Sequence, residues 1–135
     1  TFIDSQECNI VTETEGIQAT VIEKNIYISD EEYIMYVTNN TDKTILLDNL
    51  KSNATILLQS SNAQYLAYNN KLFVSNLTIE PGETQRIKIR FMKNLSSTNK
   101  SRTIQFSSVI KDYDAYIQNE TQYTDTTKIK IKVED

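Results

Sequence analysis

Asp112, Tyr113, Asp114, Tyr116 and Tyr123 fall within one polar stretch, residues 112–126, beside Glu120 and Asp125. Tyrosine supplies a large rigid contact surface at low entropic cost, and Asp, Glu and Asn adapt around it, so the mixture has the composition of a recognition loop. These five residues are the candidate binding site. The competing reading is that Tyr113 and Tyr116 pin the stretch to the edge of a sheet. Catalysis finds less to work with. The chain has no histidine, which removes the commonest general base and the commonest transition-metal ligand. Serine and threonine are plentiful, but no Gly-x-Ser-x-Gly elbow surrounds them, and two glycines cannot build a phosphate-cradling loop. No catalytic residue and no cofactor are assigned, and the expectation is a protein that is not an enzyme. Asp42, Glu80, Glu83, Asp112, Asp114, Glu120 and Asp125 could offer oxygens to Ca²⁺, but the Asp-x-Asp-x-Asp-Gly pattern is missing. They read as a solvated acidic surface, and no metal site is assigned.

A net charge of −4 and a pI near 4.9 give no electrostatic reason to expect nucleic acid as a partner. Two basic rows interrupt the acidity, Arg86/Lys88/Arg90 and Lys128/Lys130/Lys132. They would suit a polyanion, an anionic membrane or a wall polymer; the simpler reading is a solvated outer face whose lysines discourage edge-to-edge association. Cys8 is the single cysteine, so no intrachain disulfide forms. It reads as a half-buried or loop thiol, with an intermolecular bridge as the alternative. Asn-x-Ser/Thr sequons occur at Asn39, Asn53, Asn76, Asn94, Asn99 and Asn119, which in a secreted eukaryotic protein would carry glycans, although a chain this rich in Asn and Thr generates them by composition. No apolar run reaches the length of a bilayer span, and no signal-peptide pattern is present. A chain starting at Thr1 is expected to be a processed or excised form, with any signal or anchor upstream; membrane attachment would come only through such an anchor.

The elements that must position these residues are strands. Ile87, Ile89 and Phe91 alternate with Arg86, Lys88 and Arg90, and Ile129, Ile131 and Val133 alternate with Lys128, Lys130 and Lys132. A period of two sends one set to a core and the other to water. Further strands are expected at 17–28, with a kink or bulge at 23–25, and at 32–38, which is apolar on both faces and therefore central. Others follow at 44–47, 54–59, 64–68, 72–74, 77–79 and 102–110, the last with a bulge at Ser107-Ser108 that brings Ile110 inward. Turns are expected at 29–31, 39–42, Asn69-Asn70 and Pro81-Gly82, where Pro fixes φ and Gly supplies a positive φ. Residues 1–16 lack a sustained period and read as a flexible N-terminal arm. A short helical turn is expected near Ala115.

Short strands with turn signals between them define an all-β, antiparallel sandwich of about seven to nine strands, a single domain over 17–135. The segment Val37-Thr38-Asn39-Asn40-Thr41, the strand Thr44-Ile45-Leu46-Leu47 and the later Leu77-Thr78-Ile79-Glu80-Pro81-Gly82-Glu83 resemble turn chemistry in bacterial extracytoplasmic immunoglobulin-like domains. The antibody Cys…Trp…Cys signature is absent. The resemblance implies an immunoglobulin-like scaffold and an extracellular or cell-surface location, without fixing an activity. The expected function is a non-catalytic module for protein binding or surface assembly, its partner a protein or surface polymer. The alternatives are a carbohydrate-binding module using Tyr65, Tyr68, Tyr113 and Tyr116 as platforms, or the soluble domain of a pilus or envelope subunit. In this topology 39–43, 80–83 and 112–126 share one acidic end. The other end is made neutral or basic by Lys93, Lys100 and Arg102, and Ile87, Ile89, Phe91, Ile104, Phe106, Ile129 and Ile131 form the core.

Overall fold

A computed structural model describes residues 2–48, 56–59, 64–66, 77–92 and 101–134. Ten strands are found among them, one more than the upper expectation, and every pairing is antiparallel. The first sheet runs β1 (Phe2–Thr14), β2 (Ile17–Tyr27), β3 (Asp30–Asn39), β8 (Thr84–Met92). The second is built on β9 (Ser101–Ile110). One side of β9 pairs with β10 (Thr126–Glu134); the other is shared by β5 (Ile56–Gln59) and β4 (Ile45–Asp48). Beyond these lie β6 (Gln64–Leu66) beside β5 and β7 (Leu77–Ile79) beside β4. The protein is an all-β antiparallel sandwich.

The alternating strands behave as their pattern demands. Ile87, Ile89 and Phe91 on β8 and Ile129, Ile131 and Val133 on β10 are buried, while Arg86, Lys88, Lys128, Lys130 and Lys132 are exposed. All seven expected core residues join one inter-sheet cluster with Ile17, Ala19, Val21, Tyr33, Met35 and Val37. β3, apolar on both faces, lies between β2 and β8. Opposite Ser107 and Ser108 the β9–β10 register slips, Thr127 facing Val109 but Ile129 facing Phe106, so the expected bulge is present, but the residue it brings into the inter-sheet core beside Phe106 is Val109 and not the expected Ile110. Leu46 and Ile110 face each other across β4 and β9 and are buried too, outside the inter-sheet cluster.

Three expectations need correction. Residues 2–14 are not a flexible arm but β1, the edge strand of the first sheet, folded back on β2 through a two-residue turn. Glu15 (φ 49°) and Gly16 (φ 84°) both take the left-handed conformation, as a type I′ hairpin turn requires. The kink placed at 23–25 falls at Ile22, the residue skipped between Val21↔Met35 and Glu23↔Ile34. The turn placed at 29–31 ends two residues earlier: Asp30 and Glu31 already belong to β3 and are buried. Residues 54 and 55, the Asn69-Asn70 hairpin, the 72–74 strand and residues 93–100 lie outside the described residues.

Candidate functional site

Four connections meet at one end of the sandwich, and Asn39 ties two of them together. Its side chain is fully buried at the end of β3. Nδ2 donates to the carbonyls of Lys43 (2.7 Å) and Ile79 (2.9 Å), and Oδ1 accepts from the Thr41 amide (2.9 Å) and hydroxyl (2.6 Å). The Asn39 amide donates to Glu83 O (3.0 Å), and its carbonyl accepts from Gly82 N (2.7 Å). Residues 39–43 and the Pro81-Gly82 turn are thus one unit. Asn40 N donates to Gly16 O at 2.8 Å and attaches the β1–β2 turn to it.

The tyrosine-rich connection joins the same end. Tyr113 N donates to Thr44 O at 2.8 Å. Asp112 caps a short helix, α1 (Tyr113–Gln118), by accepting from Ala115 N at 3.1 Å through Oδ1. The Tyr123 hydroxyl donates to Asp125 O (2.7 Å) and accepts from Asp112 N (3.0 Å), closing the connection on itself. Burial raises the Tyr123 pKa above its ordinary value, while the hydrogen bond with the Asp112 backbone opposes the rise. The Tyr116 ring meets the Tyr123 ring edge-on, 5.6 Å between centroids. At the base, Lys111 Nζ bridges Glu15 (2.9 Å) and Asp125 (3.2 Å), and Thr127 Oγ1 donates to Glu15 Oε2. The Thr127 hydrogen bond, followed by Lys111, holds the Glu15 carboxyl below its ordinary pKa; the hydrogen bonds to Glu15 and Asp125 push Lys111 upward.

The five candidate residues therefore divide. Asp112 and Tyr123 hold the connection in shape. Asp114 is exposed, and Tyr113 and Tyr116 are half-buried, so neither ring is packed away. Sequence reasoning missed Ile117, which is 52% exposed. The signal was present: with a helical turn at Ala115, positions 113, 116 and 117 share the i, i+3, i+4 face. Of the acids assembled around this end, Glu15, Glu83 and Asp112 are engaged in local hydrogen bonds. Among the described residues no three Cys, Asp or Glu side chains converge as a metal site would require. For the carbohydrate alternative, Tyr65 falls in β6 and Tyr68 lies outside the described residues.

The far end holds a cluster the sequence reading did not find. Glu31 is 1% exposed, in phase with Tyr33 on β3. Its carboxylate accepts from the Tyr33 hydroxyl (2.7 Å) and faces Arg102 Nε from β9 (3.3 Å) and Lys24 Nζ from β2 (3.6 Å). The extra residue at Ile22 turns Lys24 inward where an unbroken alternation would have turned Glu23. Arg102 is thus an inter-sheet ion-pair partner and not part of a basic outer end; Lys93 and Lys100 lie outside the described residues. On the outer face, Arg90 Nε lies 3.0 Å from Asp30, without hydrogen-bond alignment, and its guanidinium stacks 3.9 Å above the Tyr27 ring.

Fold and site together define an all-β sandwich that presents a braced, tyrosine- and acid-rich connection at one end. No protein-family profile and no curated protein matches the chain. Among solved structures it is similar to a functionally unknown protein from Listeria monocytogenes EGD-e, with a TM-score of 0.63 and 10% identity, covering 99% of this chain and 86% of that one. At that identity the likeness concerns the fold alone.

Proposed function

We propose that the chain is a non-catalytic, extracytoplasmic binding module that engages a protein partner through residues 112–126. The observation that carries this reading is the bracing of that connection. Tyr123, Asp112 and the Tyr113–Thr44 bond fix its backbone, while Asp114 and Ile117 are exposed on its surface and the Tyr113 and Tyr116 side chains are half-buried beside them. Preorganised aromatic and aliphatic anchors within a polar rim are the usual makings of an interface hot spot. The surrounding acids, Asp42, Glu80, Glu83, Asp114 and Glu120, favour a partner with a basic rim. The immunoglobulin-like reading is supported by the connectivity: the chain crosses between sheets from β3 to β4 and from β8 to β9, with β8 beside β3 and β9 beside β4. Extracytoplasmic placement rests on the turn chemistry at 37–41 and 77–84.

The test compares the wild type with Y113S/Y116S/I117S in affinity capture from cell-surface extracts, with thermal melting of both. A partner retained by the wild type and lost by a variant of unchanged melting temperature supports the reading. A collapse in melting temperature makes the tyrosines structural and overturns it.

A further inference from the structure

Among the described residues the strands at the sheet margins are β1, β6, β7, β8 and β10, and they differ in protection. An edge strand offers unpaired N–H and C=O groups to any other chain, and proteins blunt such edges by shortening them or lining them with basic residues. β6 and β7 are 3 residues long each. β8 carries Arg86, Lys88 and Arg90, and β10 carries Lys128, Lys130 and Lys132. β1 has 13 residues, none of them Lys, Arg, Pro or Gly, and leaves Phe2, Ile3 and Val11 exposed. It pairs with β2 on one side, and among the described residues no strand pairs with the other. β10 approaches it from the second sheet but pairs with β9.

From Gln6 to Thr14 alternate residues of β1 are half-buried without a break, so the slip opposite Ile22 lies in β2 and the edge is regular. The type I′ turn closes on a hydrogen-bonded pair, Thr14 and Ile17. Even positions of β1 therefore turn their N–H and C=O groups to β2, and odd positions from Ser5 to Glu13 turn theirs to the open edge. We propose that this edge pairs antiparallel with β1 of a second copy, joining two four-stranded sheets into one across a two-fold axis. Such pairing keeps the sum of the two residue numbers constant, so the acids restrict the register, because like charges directly opposite are destabilising. An axis at Glu7 sets Glu7 against itself, one at Ile10 sets it against Glu13, and one at Val11 sets it against Glu15. An axis at Cys8 sets Glu7 against Asn9 and Asp4 against Thr12. An axis at Asn9 sets Glu7 against Val11, Glu13 against Ser5 and Asp4 against Thr14. Neither of these opposes two acids, and either makes about eight to ten main-chain hydrogen bonds between the copies.

The experiment follows sedimentation velocity and amide hydrogen exchange from low to high micromolar concentration. A dimer is expected, with protection of the Ser5, Glu7, Asn9, Val11 and Glu13 amides rising as it forms while Ile10 and Thr12, turned to β2, stay unchanged. Val11→Pro removes one outward N–H and no bond to β2, and should weaken the dimer at least tenfold. If that variant fails to fold, the odd–even pattern of exchange in the wild type decides alone. Diamide then fixes the register, taking up the two protons and two electrons that a pair of thiols releases as the S–S bond forms. The wild type crosslinks with the axis at Cys8, and N9C/C8S crosslinks with the axis at Asn9. A chain monomeric throughout, even one that adds an extended peptide of another protein at this edge, overturns the proposal. So does a dimer that folded Val11→Pro leaves intact, or one in which neither cysteine crosslinks. These readouts lie on β1, apart from the site at 112–126.

Discussion

Replacing Glu31 tests whether a buried charge cluster joins the two sheets. Glu31→Ala removes the carboxylate faced by Lys24, 4% exposed, and Arg102, 7% exposed, and breaks the hydrogen bond that the Tyr33 hydroxyl donates to it. Removing one partner of a buried ion pair destabilises by about 3–5 kcal/mol, and losing a hydrogen bond to a charged group by about 1.5–3 kcal/mol. The two losses share a partner and do not add in full, so the expected loss is about 4 kcal/mol. This is a large share of the 5–15 kcal/mol typical of a domain. The compensating variant K24M/E31M/Y33F/R102M removes these four polar heads at once and fills the space with apolar atoms. Buried ionic groups exchanged in this way are often neutral or stabilising, so it should recover most of the loss. Urea denaturation gives both numbers, with m-values checked for equality. A loss below about 1 kcal/mol in Glu31→Ala, or a compensating variant no more stable than it, would refute the argument.

Phe91 is fully buried and meets Tyr33 edge-on at 6.2 Å, so Phe91→Ala should lose about 3–5 kcal/mol in the same assay. Gly16→Ala should lose about 1–3 kcal/mol, because the residue sits at φ 84° and an added Cβ would stand 2.9 Å from Thr41 Cγ2. Tyr123 has a raised pKa in the fold, so its contribution is full below the ordinary tyrosine pKa of about 10 and is lost as pH rises through the folded value. Tyr123→Phe should remove that part of the alkaline destabilisation in pH-dependent melting. Glu15 has the opposite sign: its contribution is present above the ordinary carboxylate range and is lost as pH falls through the depressed folded value, an acid arm that Glu15→Gln should abolish.

The strands that were legible are those whose two faces differ in chemistry. β8 and β10 alternate isoleucine with lysine or arginine, and solvation alone sets their register. β1 was illegible for the converse reason. Its half-buried positions are Gln6, Cys8, Ile10, Thr12 and Thr14, of which two are apolar, and exposed Phe2, Ile3 and Val11 blur the period. Its hairpin turn was hidden because Glu15 occupies a site where Asn, Asp or Gly is the usual signal. Glu31, Lys24 and Arg102 were assigned to water or turns on charge alone, although Glu31 is in phase with Tyr33 and Arg102 with Ile104. Lys24 was beyond reach, since its direction depends on a bulge whose position the sequence does not mark. At the candidate site, tyrosine content singled out the connection, but composition does not say which tyrosine braces it; that follows from the Tyr123 hydroxyl lying between Asp112 and Asp125.

The buried amide of Asn39 bears on how the protein can be produced. Asn39-Asn40-Thr41 is a glycosylation sequon, and the atom that would carry the sugar is the Nδ2 that donates to Lys43 O and Ile79 O. The side chain is fully enclosed, so a glycan at this position and the folded end of the sandwich exclude each other. In a eukaryotic secretory host, where the sugar is added to the unfolded chain, every molecule modified here is diverted from the native state. Changing Asn39 would sacrifice its hydrogen bonds, and placing Pro at position 40 would remove the bond from Asn40 N to Gly16 O. Thr41→Val silences the sequon while keeping the Asn39 amide in place, giving up the Thr41 hydroxyl contacts at roughly 1 kcal/mol each. Bacterial expression, or this variant in a glycosylating host, therefore avoids the fraction blocked at Asn39; in the glycosylating host the other five sequons remain.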